Sequence, residues 1–238
     1  MGIIKNRVVM ETNDKGYLLY SESFIGAYTR GKTREEALSK FQLEIQRYCK
    51  WAGIDFSPYS IVESIIVQTE KSELRIEEAD SEVIFHSEKA PMLERDYEML
   101  KSRALKSAND FQILYDSILH KDYAPQKERL SFYGPVPSTA KQMYDHTNYV
   151  TNYYVGEIGI KMKNLDNIYE NRIQAIQAIE DTDRFLENKT FNGSYGEQWS
   201  LRKVLRRFIW HDCIHAKGMY RMATKRWGEE RILNPFYF

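Results

Sequence analysis

The sequence predicts an α+β protein with two domains, a small β-β-β-α-β domain followed by a four-helix bundle. The chain has 238 residues, which is comfortable for two compact domains. Apolar and alternating stretches typical of strands dominate residues 3–70, apart from one helical stretch. From Ala90 onward, apolar residues recur every three or four positions, as they do in helices. We therefore expect domains at residues 1–75 and 91–238, joined by a linker or an extra strand at residues 76–90.

The composition is that of an ordinary globular protein, with 42% hydrophobic and 29% charged residues. Lysine and arginine together number 34, as do aspartate and glutamate, so this neutral chain gives no reason to expect a nucleic-acid partner. No apolar run approaches the ~20 residues of a membrane-spanning helix, and the N-terminal stretch lacks the pattern of a signal peptide. The only two cysteines, Cys49 and Cys213, make no disulfide framework. We expect a reduced cytoplasmic protein without membrane partners.

The first domain begins with a predicted hairpin. Residues 3–9 and 16–20 are rich in Ile, Val, Leu and Tyr, and the polar turn ETNDKG separates them. Gly16 in this turn is available for a positive φ. A third short strand is predicted at AYTR, residues 27–30, and a fourth at residues 60–70, beyond a helix.

The helix of this domain is predicted within GKTREEALSKFQLEIQRYCKWAG. Thr33 can cap its start, and Glu36, three residues later, completes a capping box. Gly53 ends the helix. A buried stripe is expected at five positions with helical spacing, namely Ala37, Phe41, Ile45, Tyr48 and Cys49.

The segment SFIGAYTRGKTREEAL resembles the small HicB-like domain, and the resemblance covers about residues 3–70. That family shows a hydrophobic-Gly turn, a strand, and then Gly-x-Thr-x-x-Glu-Ala at the start of the helix. The matching residues here are Gly26, Gly31, Thr33, Glu36 and Ala37. The resemblance implies a small α/β interaction or dimerisation module. Such domains often occur in antitoxins, so a toxin–antitoxin component is one alternative, and a plain scaffold is another.

Four long helices are predicted in the second domain. The first lies in APMLERDYEMLKSRALKSANDFQILYDSIL with Pro91 at its start, and Ser138 caps the second, STAKQMYDHTNYVTNYYVGEIGIKM. Between them, residues 123–138 form a predicted loop with three prolines. The third helix lies in LDNIYENRIQAIQAIEDTDRFLEN, and the fourth, WSLRKVLRRFIWHDCIHAKGMYRMATKRWG, ends near Gly228. Four such helices within one domain indicate a bundle.

Histidines in the second and fourth predicted helices indicate a candidate metal site. His211 and His215 are four residues apart, which places them ~40° apart around a helix and ~6 Å apart along it, so both imidazoles can reach one ion. His146, in the second helix, has apolar neighbours on its own side and is the candidate third ligand. Alone, the pair also fits two exposed or core histidines. His86 is expected to be an exposed strand residue.

The second domain resembles the DinB-like (YfiT-like) four-helix bundles over about residues 92–228. That family places one ligand histidine in the second helix and a His-x-x-x-His pair in the last long helix, after a Trp-containing lead-in and before a glycine. The corresponding residues here are His146, His211 and His215, with Gly218 after the pair. The resemblance implies a metal-dependent enzyme, and related families include transferases that use low-molecular-weight thiols.

Three neutral imidazoles favour Zn²⁺ or Ni²⁺ over Fe²⁺ or Mn²⁺. Such an ion could lower the pKa of a water or hold and deprotonate a thiol, so hydrolase and thiol-transferase chemistry both stay open. Met219 stands where the family often carries Gln, which implies a different substrate pocket. A non-catalytic metal-binding or stress-associated protein is the alternative. A homodimer is expected, because such bundles often pair through helix faces and the first domain offers a free sheet edge.

Several neighbours of the histidines have predicted roles. Tyr153 shares a helix face with His146 and is the candidate catalytic residue, able to donate a hydrogen bond to a bound water or substrate. The alternative for Tyr153 is a packed ring with its hydroxyl at the surface. Asp145 and Asp212 adjoin proposed ligands and are expected at the surface or as groups that orient an imidazole. Cys213 projects ~200° away from the histidine pair, so we expect a small buried hydrophobe.

Overall fold

The protein is a mixed α/β chain that divides into two compact units. The computed structural model describes residues 2–124, 129–131 and 134–238. The main boundary between the two units follows Phe85. The first unit comprises Met1–Phe85, Leu130–Pro135 and Tyr237, and the second comprises His86–Arg129, Val136–Phe236 and Phe238.

A four-stranded sheet forms the centre of the first unit. Its strands are β1 (Ile3–Thr12), β2 (Tyr17–Ser21), β3 (Tyr28–Gly31) and β4 (Ile61–Lys71), in the spatial order β3-β2-β1-β4. Strand β2 is antiparallel to β1 and β3, whereas β4 runs parallel to β1. A parallel pair needs a long connection, which β2, β3 and the following helices provide. The predicted hairpin, third strand and fourth strand are therefore confirmed.

The turn between β1 and β2 uses a different residue from the predicted one. Asp14, not Gly16, takes the left-handed conformation, with φ of 63°. The Asn13 side-chain oxygen accepts hydrogen bonds of 3.0 Å from the amides of Lys15 and Gly16, which is how asparagine shapes a turn. Gly16 is instead required by a close approach, because a Cβ there would lie 3.0 Å from the Cα of Glu77.

The predicted helix of the first unit is divided into α1 (Arg34–Ser39) and α2 (Phe41–Ala52). Thr33 is the N-cap of α1, since its hydroxyl accepts a hydrogen bond from the Glu36 amide. The Glu36 carboxylate accepts from the amide of Lys32, one residue before the cap. The predicted capping box is therefore only half formed, although its N-cap is confirmed.

The buried face of α1 and α2 is as predicted. All five residues of the expected stripe are buried, and Gly53 ends α2 with a φ of 65°. Gly31 has a separate reason to be glycine, because a Cβ there would lie 2.7 Å from the amide nitrogen of Ala37. The absence of a side chain at this position lets α1 start directly against the end of β3.

Four helices dominate the second unit: α3 (Glu94–Asp116), α4 (Ala140–Gly156), α5 (Ile168–Glu180) and α6 (Leu201–Trp227). Helix α3 packs against α5 and α6, and α4 packs against the same two helices. The four helices therefore enclose one core, and we refer to them as the helical bundle. All four predicted helices are confirmed, and each is shorter than the stretch that predicted it.

The starts of two bundle helices differ from the prediction. Thr139, not Ser138, is the N-cap of α4, because the hydroxyl of Thr139 accepts from the Gln142 amide while the Gln142 side chain accepts from the Thr139 amide. This reciprocal arrangement is a capping box. Helix α3 begins at Glu94, three residues after Pro91, so the proline precedes the helix.

The predicted loop at residues 123–138 contains two short strands in its described parts. These are β5 (Arg129–Ser131) and β6 (Gly134–Val136), which pair with each other. Residues 125–128 and 132–133 of that predicted loop lie outside the described residues.

A second short pair of strands precedes α6. Strands β7 (Phe191–Asn192) and β8 (Gln198–Trp199) are antiparallel. His86 is exposed, as expected, but it begins a 3-10 turn at His86–Lys89 rather than lying in a strand. Among the described helices, none combines the length and the apolar character that crossing a membrane requires.

Candidate metal centre

Three histidine side chains from two helices meet in the helical bundle. His146 lies on α4, and His211 and His215 lie one turn apart on α6. The Nε2 atom of His211 is 3.2 Å from the Nε2 of His146 and 3.2 Å from the Nε2 of His215, and the three ligand atoms all lie within 4.8 Å of one another. The three histidines are thus close enough to hold one metal ion. Cys213 is buried, as predicted, and lies outside this cluster.

The packing of α4 against α6 brings these side chains together. On one side of the cluster, the Met143 side chain lies 3.9 Å from the position that a Cβ of Gly218 would occupy. On the other side, the Tyr154 ring lies edge-on to the His211 ring, with centroids 5.9 Å apart, and also contacts Phe208. From the first of these contacts to the second, the residue number rises on α4 and falls on α6. The two helices are therefore antiparallel.

Burial keeps the three imidazoles neutral. It lowers the pKa of His146. It also lowers the pKa of His215 to about 3, with a further contribution from the charge of His146. The pKa of His211 lies well below its usual value, because of burial first and then the charges of His215 and His146. A neutral imidazole offers a lone pair to a cation, so the cluster is a set of donors at neutral pH.

The spacing of the nitrogen atoms fits a small divalent ion. Zinc–nitrogen distances of ~2.0–2.1 Å in a tetrahedral site separate neighbouring ligand atoms by about 3.3 Å. The two separations measured from the Nε2 of His211, both 3.2 Å, match that value. Three protein ligands leave a coordination position open, which distinguishes catalytic zinc sites from closed structural ones.

The outer nitrogen of His211 lacks the hydrogen bond that is usual at metal sites. Its Nδ1 atom is buried, and within the part of the chain that the structure describes it has no hydrogen-bond partner. Metal-binding histidines usually donate the proton of this nitrogen to a carboxylate, a carbonyl or water, which fixes the ring. The position of this imidazole therefore depends on the position of α6 itself.

Asp212 does not orient an imidazole and does not lie at the surface, contrary to the prediction. Its carboxylate is fully buried and accepts two hydrogen bonds of 3.1 Å from the guanidinium of Arg172 and one of 2.5 Å from the hydroxyl of Ser107. These partners lie on α5 and α3. Asp145 is an exposed residue, as predicted, and pairs with Lys141 at 2.7 Å.

Tyr153 lies two turns from His146 on the same face of α4. Its hydroxyl is buried, not at the surface, and no hydrogen-bond partner for it is found among the described residues. The ring packs against Tyr154 and Trp199, with centroids 5.7 and 6.1 Å away. Burial, and then the negative charge of Glu157, raise the pKa of this tyrosine. The hydroxyl therefore stays protonated and is able to donate a hydrogen bond.

Buried charges at the start of α6 were missed by the sequence interpretation. Lys203 pairs with Glu197 at 3.0 Å, and Arg206 pairs with Glu88 at 2.5 Å, and all four side chains are almost fully buried. Burial lowers the pKa of Lys203 to about 8, although the charge of Glu197 opposes this change. The stretch LRKVLRRF carries basic residues around most of the helix, and this was the available signal that some of them had to be buried.

The separations of the three imidazoles identify a set of metal ligands and do not identify a reaction. No family model, no curated protein and no solved structure matches this chain.

Proposed function

We propose that the second unit binds one divalent transition metal through the Nε2 atoms of His146, His211 and His215, and that the protein is a metal-dependent enzyme. The observation that carries this proposal is the convergence of three neutral imidazoles, two pairs of which are 3.2 Å apart. Zinc and nickel suit an all-imidazole site. The resemblance of the bundle sequence to the DinB-like proteins supports the same proposal.

The proposed chemistry is hydrolysis or the transfer of a thiol. A bound ion would lower the pKa of a water molecule or of a substrate thiol. The chain holds the ligands neutral through burial, so protons do not compete for the nitrogen atoms at neutral pH. Tyr153 is the proposed catalytic residue, because it lies on the same face of α4 as His146 and its protonated hydroxyl has no partner among the described residues.

The first unit is proposed to mediate assembly as a HicB-like interaction module, and the protein is proposed to be a cytoplasmic homodimer. Strands β3 and β4 are the two edges of its sheet, and an edge strand can pair with another chain. The mass of the protein measured by light scattering at micromolar concentration tests this proposal. A monomer mass would contradict it.

The enzyme proposal is tested by comparing three proteins after removal of metal and reloading with zinc or nickel. These are the wild type, His211→Ala, and His120→Ala as a control, since His120 is exposed and outside the cluster. Each protein is screened with low-molecular-weight thiols plus electrophiles and with ester and amide substrates. We expect metal-dependent turnover in the wild type and the control but not in His211→Ala.

The outcomes separate the candidate functions. If the wild type binds no stoichiometric metal, the proposed site is wrong. If the wild type binds one metal ion per chain but shows no turnover with any substrate class, the protein is a non-catalytic metal-binding protein. Copurification of a toxin would favour the toxin–antitoxin alternative.

A further inference from the structure

We infer that α5, which carries no metal ligand, is a clamp that fixes the relative position of the two helices that do carry them. Two adjacent residues on α5, Asn171 and Arg172, form the clamp, and both are fully buried. Asn171 reaches α4, and Arg172 reaches α6. This inference rests on the metal centre proposed above and assigns Asn171 and Arg172 as positioning residues.

The first arm of the clamp joins Arg172 to α6. Its two terminal nitrogens each donate a hydrogen bond of 3.1 Å to Asp212, the residue next to His211. The guanidinium also lies 3.8 Å from the centre of the Phe208 ring. A two-pronged pair between guanidinium and carboxylate restricts orientation as well as distance. This arm therefore limits rotation of α6 about its own axis, next to a ligand residue.

The second arm joins Asn171 to α4. Its Nδ2 donates to the side-chain oxygen of Asn148 at 2.7 Å, and Asn148 lies two residues after His146. Asn148 in turn donates to the carbonyl of Leu165 at 2.7 Å, and Asn171 accepts from the Leu165 amide at 3.1 Å. The connection before α5 is thus tied to both residues, so this arm fixes α4 at a point half a turn from its ligand.

The two arms matter because the site has little tolerance for movement. Side chains extend roughly 5–6 Å from a helix axis, so a roll of about 10° moves a ligand atom by about 1 Å. Displacements of that size are large for a site that must be held within ~0.5 Å. His211 has no hydrogen-bond partner at Nδ1 among the described residues, so no local contact of that kind corrects a misplaced helix.

A purely stabilising role for the buried ion pair makes a different prediction. Replacing both members of a buried pair by apolar residues of similar volume is often neutral or stabilising. If the pair only filled space, such a replacement would leave metal binding unchanged. If the pair positions α6, the fold survives while the metal site loses affinity.

The experiment compares two double variants loaded with Co²⁺. The clamp variant is Arg172→Met with Asp212→Leu, which leaves no buried charge unpaired. The control is Arg206→Met with Glu88→Leu. It removes another buried ion pair, with a separation of 2.5 Å, in which Arg206 lies on α6 and Glu88 lies outside the four helices. We expect the clamp variant to bind Co²⁺ about 10-fold more weakly than the wild type, the loss typical of groups that support metal ligands, with an altered visible spectrum. The control keeps the wild-type affinity and spectrum.

Asn171→Ala provides a second test, because it breaks only the arm to α4. It is expected to shift the Co²⁺ spectrum and affinity in the same direction, and it decides the question if the clamp variant does not fold. A folded clamp variant with wild-type affinity and spectrum overturns the inference, and so does an equal loss in the control.

A measurement without metal keeps this inference separate from the proposed function. In a crystal structure of the metal-free clamp variant, we expect the separation between the Nε2 atoms of His146 and His211 to exceed the 3.2 Å of the native chain. An unchanged separation contradicts the clamp even if the wild type binds no metal. Failure of the wild type to bind metal contradicts the proposed function alone.

Discussion

The Nε2 atoms of His146 and His211 lie 3.2 Å apart, although 65 positions separate the two residues in the chain. The Nε2 of His215 lies at the same distance from the Nε2 of His211. Neutral imidazoles have one N–H each, and one central nitrogen cannot both donate to and accept from its two neighbours. Without a cation, the cluster therefore holds buried lone pairs that are poorly satisfied, and a metal ion would satisfy all three together.

Metal binding is therefore expected to stabilise the second unit. An ion present at 100 times its Kd raises the free energy of unfolding by about 2.7 kcal/mol. His146→Ala removes one of the three ligands, so we expect it to lose most of this stabilisation. Thermal unfolding with and without zinc measures the effect. His120→Ala is the control, because its imidazole is exposed and lies outside the cluster. An equal zinc-induced increase in Tm for both variants would contradict the assignment of His146.

The helices could be predicted from the sequence, because apolar periodicity reports burial directly. Their caps were less predictable where two neighbouring residues have the same chemistry. Ser138 and Thr139 both carry a hydroxyl, and the structure uses Thr139 because Gln142 then stands at the third helical position. The first turn offers a similar choice. Either Asp14 or Gly16 could take the positive φ, since aspartate also tolerates it, and the structure has it at Asp14.

The candidate ligands could be predicted in two steps: four-residue spacing places His211 and His215 on one side of a helix, and His146 was expected from its place in the second predicted helix and from the resemblance to the DinB-like bundles. The surroundings of the site could not. Asp212 was placed beside an imidazole by its position in the chain, yet its partner is Arg172, which lies 40 positions away. That pairing depends on which face of α5 meets α6, and the periodicity of either helix alone does not contain this information.

Acidification is expected to destabilise the metal-free second unit. The pKa of each of the three histidines is lowered in the folded protein, whereas the unfolded chain has the usual value near 6.5. Below about pH 6.5 the unfolded state therefore binds more protons than the folded state, and the free energy of unfolding falls as the pH falls. The window extends down to about 3, the lowered pKa of His215. The slope is at most about 1.4 kcal/mol per pH unit for each histidine.

This pH dependence is measured by urea unfolding of the metal-free protein between about pH 7 and about pH 5. His215→Gln removes one of the titrating groups, so we expect a shallower slope for this variant. His120→Gln, at an exposed histidine outside the cluster, is measured alongside it for comparison. If the slope of His215→Gln equals that of the wild type, the lowered pKa of His215 is not a source of the pH dependence.

Removal of the Tyr153 hydroxyl is expected to leave the fold unharmed. This hydroxyl is buried without a partner among the described residues, so Tyr153→Phe should leave the free energy of unfolding unchanged or raise it by about 1 kcal/mol. Tyr144→Phe is the matched control on the same helix, because the Tyr144 hydroxyl donates to Gln112 at 2.5 Å and accepts from the amide of Ile168 at 2.9 Å. The control should lose about 1–3 kcal/mol.

The variant Tyr153→Phe also tests the proposed role of Tyr153 in the reaction. Metal affinity should be unchanged in Tyr153→Phe, whereas turnover should fall by about 10²-fold or more if the hydroxyl assists proton transfer. Turnover at the wild-type rate in the folded, metal-loaded variant would remove Tyr153 from the proposed mechanism. A large loss of stability would instead reveal a structural hydrogen bond for this hydroxyl.

Gly218→Ala is expected to stabilise the second unit by about 0.8–1 kcal/mol, the difference between glycine and alanine inside a helix. Gly218 lies within α6, and a Cβ there would meet only the Met143 side chain, at an ordinary contact distance of 3.9 Å. Gly193→Ala is the matched control in the same unit, because its Cβ would lie 2.5 Å from the Cδ1 of the buried Trp199. Urea unfolding should therefore show opposite changes for the two variants. A destabilised Gly218→Ala would mean that close packing of α4 on α6, rather than helix propensity, determines the residue at this position.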